Sequence, residues 1–257
     1  MQMVANFQAG GAAINQLCDV AGADLNVIAL DLDQPTADFP VAPAMSEAGT
    51  LAAMNRGAAA VDADADCLIL GEMGIGNSTV SAALCAALFG GDARDWVGRG
   101  TGSDEVGVAR KADVVARGVA RHAGLAPLAI LSALGGREQA AICGAVLAAR
   151  AARVPVILDG YICTSAVAPL YAAIPDLLAH CLVGHTSAEP GHSRLLAAIG
   201  KTEILDLGMA LGEGTGAALA LNVLKGAVAC HTGMAAFAEA GVAGGCRRHG
   251  AGLARFA

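Results

Sequence analysis

One stretch decides the fold: Cys67-Leu68-Ile69-Leu70-Gly71-Glu72-Met73-Gly74-Ile75-Gly76-Asn77-Ser78-Thr79. Its first four residues predict a short buried strand, and the alanine-rich run from Val80 to Leu88 predicts a helix. The glycines between them let backbone amides approach an anion at the positive end of that helix. Glu72 follows the strand directly, where open α/β sheets bind their ligands.

The rest of the chain alternates apolar runs with helical patterns in the same way, which predicts a parallel sheet. The fold class that we expect is α/β, a doubly wound, mostly parallel, Rossmann-like sheet with a small helical lobe from the chain ends. Residues 1–257 are expected to form one domain, with residues 1–22 and about 217–257 in the lobe. The predicted strands are 25–32, 67–70, 128–131, 154–158 and 180–183. The predicted helices are 2–21, 46–61, 80–88, 106–122, 138–152, 161–173 and 214–239.

Four of the predicted strands end in glycine and polar residues, at 71–79, 132–136, 159–165 and 184–189. The carboxyl ends of parallel strands meet at one edge of a sheet, so these segments are expected to build a single site.

Composition excludes several classes of function. Among 257 residues the net charge is −7, and no basic cluster is larger than Arg247-Arg248, so nucleic acid is not an expected partner. The eight cysteines lack CxxC spacing and lie mostly in apolar runs, which indicates buried free thiols in a reducing cytoplasm. No secretory signal begins the sequence, and charges such as Arg150 and Arg153 interrupt the apolar helices, so no membrane span is expected.

The glycine loop has competing interpretations. It lacks the Gly-Lys-Ser/Thr of a Walker A motif. A dinucleotide fingerprint is weakly matched, because Thr79 stands where a third glycine is needed, and Asp92 and Asp95 follow the helix rather than a strand. A tight turn that binds nothing also stays open. The remaining functional interpretation is a site for one phosphate or a phosphorylated sugar.

A second glycine-rich segment is Leu211-Gly212-Glu213-Gly214-Thr215-Gly216, ahead of a long apolar helix. Glu213 is either a carboxylate stabilised by the helix dipole or a general base whose pKa is raised by partial burial. Lys111 is either a surface lysine or part of the site. His185, Glu189 and His192 fit no common zinc spacing, so no metal is expected.

Taken together in chain order, these motifs resemble the nicotinate-nucleotide–dimethylbenzimidazole phosphoribosyltransferase family. The resemblance runs from about Met3 to Val242. It is carried by the glycine loop and by four further segments: Arg110-Lys111, Leu158-Asp159-Gly160, Gly184-His185-Thr186-Ser187-Ala188-Glu189-Pro190-Gly191 and Leu211-Gly212-Glu213-Gly214-Thr215-Gly216.

The resemblance implies transfer of the phosphoribosyl group of nicotinate mononucleotide to 5,6-dimethylbenzimidazole, in assembly of the lower ligand of cobalamin. It implies that Glu213 takes the proton from the benzimidazole, that Glu72 is a second active-site carboxylate and that Lys111 assists near the nucleotide. It implies no tightly bound cofactor and a homodimer. The residues it assigns to binding of the phosphoribosyl part are Gly74, Ile75, Gly76, Asn77, Ser78, Gly184 and Ser187.

Two departures from the family pattern stand out. Ser78 takes the place of the usual threonine, which keeps the hydroxyl. The sequence also begins inside the helix that follows the family's first strand and its Asp-His-Gly segment, so part of the benzimidazole pocket and one strand are expected to be absent. This suggests an alternative function, a non-catalytic relative that binds a nucleotide or a benzimidazole. A Rossmann-type oxidoreductase is a more remote alternative.

Overall fold

A computed structural model describes residues 2–100 and 102–241. Its sheet has four parallel strands in the order β1-β2-β3-β4. The strands are β1 Leu68–Leu70, β2 Val156–Leu158, β3 Cys181–His185 and β4 Glu203–Leu205. In register, Leu68 pairs with Val156, Val156 pairs with Cys181 and Val183 pairs with Glu203.

Helices separate the strands, as an α/β protein requires. In chain order they are α1 Gln2–Gln8, α2 Ala13–Ala21, α3 Glu47–Ala59, α4 Asn77–Phe89, α5 Glu105–Arg121, α6 Pro127–Leu134, α7 Arg137–Ala152, α8 Tyr161–Ala166, α9 Ala168–Ala173, α10 Pro190–Ile199 and α11 Thr215–Gly233. Within residues 2–100 and 102–241, no helix combines the length and the apolar character that crossing a membrane needs.

The alternating side chains of β1 show that helices cover both faces of the sheet. Leu68 and Leu70 pack into the core formed with α3, α7, α8 and α9. Ile69 packs on the opposite face, against a cluster that contains Ile14 of α2 and Ala218 of α11. The α/β class with helices on both faces of a parallel sheet is therefore confirmed.

Several predicted helix starts are confirmed by their caps. The Ser46 side chain accepts a hydrogen bond from the Gly49 amide at 3.1 Å, and α3 begins at the next residue. Asp104 caps α5 in the same way, through the Gly107 amide at 2.8 Å. The predicted helix 2–21 is interrupted, because Gly10 adopts a left-handed φ of 74° and the chain restarts as α2.

Two predicted strands are wrong. Residues 128–131 belong to α6, because Pro127 is preorganised for the first turn of a helix and the apolar run continues to Leu134. Residues 25–32 form no strand, since no described strand pairs with them and Leu25, Ile28 and Leu32 remain partly exposed. Arg56 holds this segment instead, through the Asp31 carboxylate at 2.7 Å and the Ala29 carbonyl.

Among the described residues, one α-helix and one strand lie where no element was predicted. Helix α10 begins at Pro190, and the three-residue strand β4 follows it. Strand β4 leads towards Leu211–Gly216, so the second glycine-rich segment also follows a strand of the sheet. Residues 132–136, by contrast, end α6 and begin α7, and they are not a strand end.

The chain divides into a compact unit of residues 1–222 and a second unit that begins at Val223. In the second unit α11 continues to Gly233, and turns follow as far as Gly241. The single domain over residues 1–257 stays a prediction, as does the small lobe. Residues 242–257 of that lobe lie outside the described residues.

Candidate active site

The loops after β1, β2, β3 and β4 all leave the sheet at its carboxyl edge. In the loop after β1, Gly76 has a φ of 88° and immediately precedes α4. Gly74 leaves no room for a side chain, because a Cβ there would overlap the Asn77 amide group. This geometry directs the first amides of α4 towards the sheet edge, the arrangement that binds anions.

Glu72 is held by the loop that it belongs to. Its Oε2 accepts a hydrogen bond from the Gly74 amide at 3.0 Å and another from the Asn77 side chain. Burial raises the pKa of Glu72 to about 7, and the carboxylates of Glu138 and Asp159 add to the rise. The two hydrogen bonds lower the pKa but do not offset the effect of burial. Glu72 therefore changes its protonation near neutral pH.

Glu213 stands in an unusual backbone conformation. Its φ is 63°, and the flanking Gly212 and Gly214 have φ values of 80° and 87°. A left-handed conformation costs a residue with a side chain about 1 kcal/mol, so the surrounding contacts must hold it in place. Partial burial raises the pKa of Glu213, and the nearby Asp159 carboxylate raises it further.

The two carboxylate-bearing loops touch each other. A Cβ on Gly71 would lie 2.7 Å from the carbonyl carbon of Glu213, so only a glycine permits this approach. A Cβ on Gly212 would lie 3.9 Å from Glu72 Oε1. The structure thus brings together the residues 71–76 and 211–216, which are far apart in the sequence.

Lys111 reaches the first turn of α4 from helix α5. Its Nζ donates to Ser78 Oγ at 3.3 Å, to the Gly98 carbonyl at 3.3 Å and to the Arg99 carbonyl at 3.4 Å. Lys111 is half-buried and bridges the first turn of α4 and the Gly98–Arg99 segment. Lys111 therefore contacts the glycine loop's helix through Ser78, and its part in the site stays a prediction.

Next to Lys111 is a cleft of about 590 Å³, a volume within the usual range for small-molecule sites. Its lining includes Gly98–Gly100 and Ala188–Pro190, and Arg94 also contributes. Glu189 ties these two segments together, because its Oε1 accepts a hydrogen bond from the Gly100 amide at 2.7 Å.

Gly184 and Ser187 lie at the end of β3. Gly184 is buried, and a Cβ there would lie 2.8 Å from the Ala217 Cα, so this glycine lets α11 approach the strand. The Ser187 amide donates to His192 Nδ1 at 2.8 Å, and the other ring nitrogen of His192 contacts Thr164 Oγ1 at 3.2 Å. Burial lowers the pKa of His192 to about 3, so its ring is neutral and fixes the Ser187 backbone.

Sequence reasoning missed Asp159 as a site residue, although it lies in one of the quoted motifs. Asp159 follows β2 and is only 2% exposed. Its two oxygens accept hydrogen bonds from the amides of Gly214 at 3.1 Å and Ala217 at 3.0 Å. Burial raises the pKa of Asp159, and these amides together with His185 oppose the rise. A carboxylate directly after a buried strand was the signal that could have identified it.

Glu138 was also missed. It lies in the first turn of α7, and its Oε1 would be 2.5 Å from a Cβ placed on Gly74. The sequence predicted a helix from Glu138 onwards, as the structure shows within one residue, but nothing in the motifs assigned Glu138 to the site.

The structure thus brings most of the predicted site residues to one edge of the sheet. Glu72, Glu213 and the loop from Gly74 to Ser78 meet there, and Lys111 joins them through Ser78. Ile75 is fully exposed in this loop. The roles of these residues in binding and catalysis remain predictions.

An anion-binding helix start beside two carboxylates, at the carboxyl edge of a parallel sheet, is typical of α/β enzymes that act on phosphorylated ligands. A family model described as "Phosphoribosyltransferase" matches residues 1–242. The chain belongs to the nicotinate-nucleotide–dimethylbenzimidazole phosphoribosyltransferase family.

Individual relatives agree with this assignment. The nicotinate-nucleotide–dimethylbenzimidazole phosphoribosyltransferase of Rhodobacter capsulatus is 63% identical over 240 residues, which are 93% of this chain and 72% of that protein. The enzyme of the same name from Roseobacter denitrificans is 62% identical and matches 95% of this chain and 73% of its own length. The crystal structure of CobT from Thermus thermophilus superposes with a TM-score of 0.86 at 41% identity, covering 95% of this chain and 79% of that one.

Proposed function

We propose that this chain transfers the phosphoribosyl group of nicotinate mononucleotide to 5,6-dimethylbenzimidazole, giving α-ribazole 5′-phosphate and nicotinate. The observation that carries the proposal is the contact between the two carboxylate-bearing loops, Glu72 in one and Glu213 in the other. The names of relatives at 57–63% identity support the choice of substrates.

The chemistry of the donor explains why the reaction needs few catalytic groups from the protein. In nicotinate mononucleotide the ring nitrogen is positively charged, and it takes the electron pair of the glycosidic bond when that bond breaks. A benzimidazole nitrogen forms the new bond to the anomeric carbon, and the proton on its other nitrogen passes to the Glu213 carboxylate. We assign to Glu72 the stabilisation of the positive charge that develops on the sugar.

The donor's phosphoribosyl part is assigned to the residues around the start of α4. Gly74, Ile75, Gly76, Asn77 and Ser78 surround the amides of the first turn, which suit a phosphate or sugar oxygen. At the end of β3, Gly184 lets the start of α11 approach and Ser187 is fixed by His192, which supports a role for this segment in shaping the donor site.

The acceptor is flat and apolar, and exposed apolar residues stand within two positions of each of the two glutamates in the sequence. Met73 is 48% exposed in the glycine loop, and Leu211 is 57% exposed beside Glu213. Exposed apolar side chains next to polar groups are typical of ligand sites, because a bound ligand removes them from water. We therefore assign the benzimidazole to the space beside Met73 and Leu211.

The direct test is incubation of the purified chain with nicotinate mononucleotide and dimethylbenzimidazole, followed by chromatography. We expect one nicotinate released for each α-ribazole 5′-phosphate formed. Binding of either substrate by calorimetry, with no product from folded protein, would instead support the non-catalytic alternative. The contact between the two carboxylate-bearing loops and the names of the relatives favour turnover.

Three further features complete the proposal. The charged leaving group needs no further activation, so the reaction requires no tightly bound cofactor. The chain acts as a homodimer, which light scattering at micromolar concentration would show as twice the chain mass of 25.3 kDa. A cytoplasmic location suits its free thiols, of which Cys18, Cys85, Cys143, Cys163 and Cys181 are buried.

Lys111→Met provides a test of the donor side. Removing the ammonium group leaves Ser78 Oγ and the Gly98 and Arg99 carbonyls without their shared donor. We expect KM for nicotinate mononucleotide to rise by about 10- to 100-fold, as for loss of hydrogen bonds to a charged group, with a smaller change in kcat. The matched control is Arg121→Met, which removes an exposed charge from the last turn of the same helix. Equal kinetics for the two variants would contradict a role for Lys111.

A further inference from the structure

Asp159 connects the end of β2 to the start of α11. Its Oδ2 accepts a hydrogen bond from the Gly214 amide and its Oδ1 accepts one from the Ala217 amide. An acidic side chain that accepts amides at the start of a helix usually comes from the residue just before that helix. Here the cap comes from a different strand of the sheet, so it fixes the position of the helix start relative to the sheet.

The capped amides are adjacent to Glu213. Gly214 follows Glu213 directly, and it closes the run of three left-handed residues from Gly212 to Gly214. Gly71 also packs against this backbone. Glu213 is thus held between a backbone contact from the loop after β1 and a pair of hydrogen bonds from the end of β2.

Asp159 is itself held in place by packing. The His185 ring lies beside it, with Nε2 3.5 Å from Asp159 Oδ1, and Gly216 has no room for a side chain against that ring. His185 Nδ1 contacts the Thr186 carbonyl at 3.1 Å. Asp159 is buried too deeply to touch a substrate, so any effect on the reaction must pass through another residue.

We propose that Asp159 is a positioning residue for Glu213, holding the Gly212–Gly214 turn so that the Glu213 carboxylate meets the acceptor's N–H. This inference rests on the function proposed above, in which Glu213 is the base. General-base catalysis depends on hydrogen-bond reach to the proton, and a misplacement of about 1 Å can cost about 100-fold in rate.

The variant Asp159→Asn keeps the shape of the side chain but places an NH₂ group against one of the two amides. We expect kcat to fall by about 10- to 100-fold, with KM for nicotinate mononucleotide within about threefold of the unmodified chain. The matched control is Ser46→Ala, which removes a cap from α3 and leaves the site untouched. If the loss of a helix cap were the only effect, the two variants would have equal kinetics. A fall in kcat that is confined to Asp159→Asn therefore supports the positioning of Glu213 by Asp159.

A double-mutant cycle tests whether Asp159 acts through Glu213. Once Glu213→Gln has removed the base, Asp159→Asn should lower kcat by less than about threefold further. A further loss as large as in the unmodified chain would overturn the proposal, because Asp159 would then act on the reaction by another route.

Hydrogen exchange of the Gly214 and Ala217 amides gives a readout that does not need turnover. Both amides should exchange at least about 10-fold faster in Asp159→Asn and stay unchanged in Ser46→Ala. Unchanged exchange in Asp159→Asn would overturn the proposal. If the unmodified chain forms no α-ribazole 5′-phosphate, the proposed function fails, and faster exchange would still show that Asp159 holds the turn.

Discussion

Replacement of Glu213 by glutamine should lower kcat by about 1,000-fold, within the range for loss of a general base. Glutamine has the size of glutamate and keeps one oxygen, but it cannot take the proton from the benzimidazole nitrogen. The flanking glycines and the Asp159 hydrogen bonds remain, so the turn should keep its shape. KM for nicotinate mononucleotide should stay within about threefold, because the donor does not depend on this carboxylate.

The control for this experiment is Glu47→Gln, which makes the same chemical change at an exposed position in the first turn of α3. The acceptor supplies a second readout. A benzimidazole with electron-withdrawing substituents has a more acidic N–H, so the loss in Glu213→Gln should be smaller with it. A kcat close to that of Glu47→Gln would show that Glu213 is not the base.

The second large effect is expected for Glu72→Gln. Because Glu72 is proposed to act as an anion beside the positive sugar, its replacement should lower kcat by about 100- to 1,000-fold, comparable to removal of one electrostatic stabiliser. The pKa of Glu72 is raised to about 7, so activity of the unmodified chain should rise with pH through this value as the carboxylate ionises. In Glu72→Gln this rise should be missing from the pH profile of the residual activity.

The stability of the folded chain should also depend on the ionisation of Glu72, but it should fall with rising pH where the activity rises. The pKa of Glu72 is higher in the folded chain than in the unfolded chain, so folding favours the protonated form. The contribution of Glu72 to stability is therefore fully present below about pH 4.5 and is lost as pH rises through about 7. Glu72→Gln should unfold at a higher temperature than the unmodified chain at pH 8 but not at pH 4. Parallel pH dependence of stability in the two proteins would contradict the raised pKa.

The glycine loop and its neighbours show how far sequence can predict this fold. A four-residue apolar run followed by glycines predicted both β1 and α4, since both are determined by residues close in the chain, although α4 begins at Asn77 rather than at Val80. Caps such as Ser46 were predictable for the same reason, because a cap and its helix are adjacent in sequence.

The run at 128–131 was not predictable by the same logic. A run of four apolar residues fits a strand or a helix equally well, and Pro127 at the first turn favours the helix. Strand β4 was missed because it has three residues and starts with a glutamate. Residues 25–32 have the composition of a strand, but a strand also needs a partner, which local sequence does not specify.

The site residues also differ in how far local sequence could predict them. Glu72, Glu213 and Lys111 were predicted from motifs and a family resemblance, and the structure brings the first two loops into contact. Asp159 and Glu138 act on these residues across the sheet edge, over long separations in sequence. Their importance follows from packing and hydrogen bonds that exist only in the folded chain.

The most direct test of the central claim is the configuration of the product's anomeric carbon, determined by NMR after reaction of nicotinate mononucleotide with dimethylbenzimidazole. Attack from the face opposite the departing nicotinate inverts this carbon, so the account predicts α-ribazole 5′-phosphate alone. A β-configured product, or no nucleotide product from folded protein, would contradict the account.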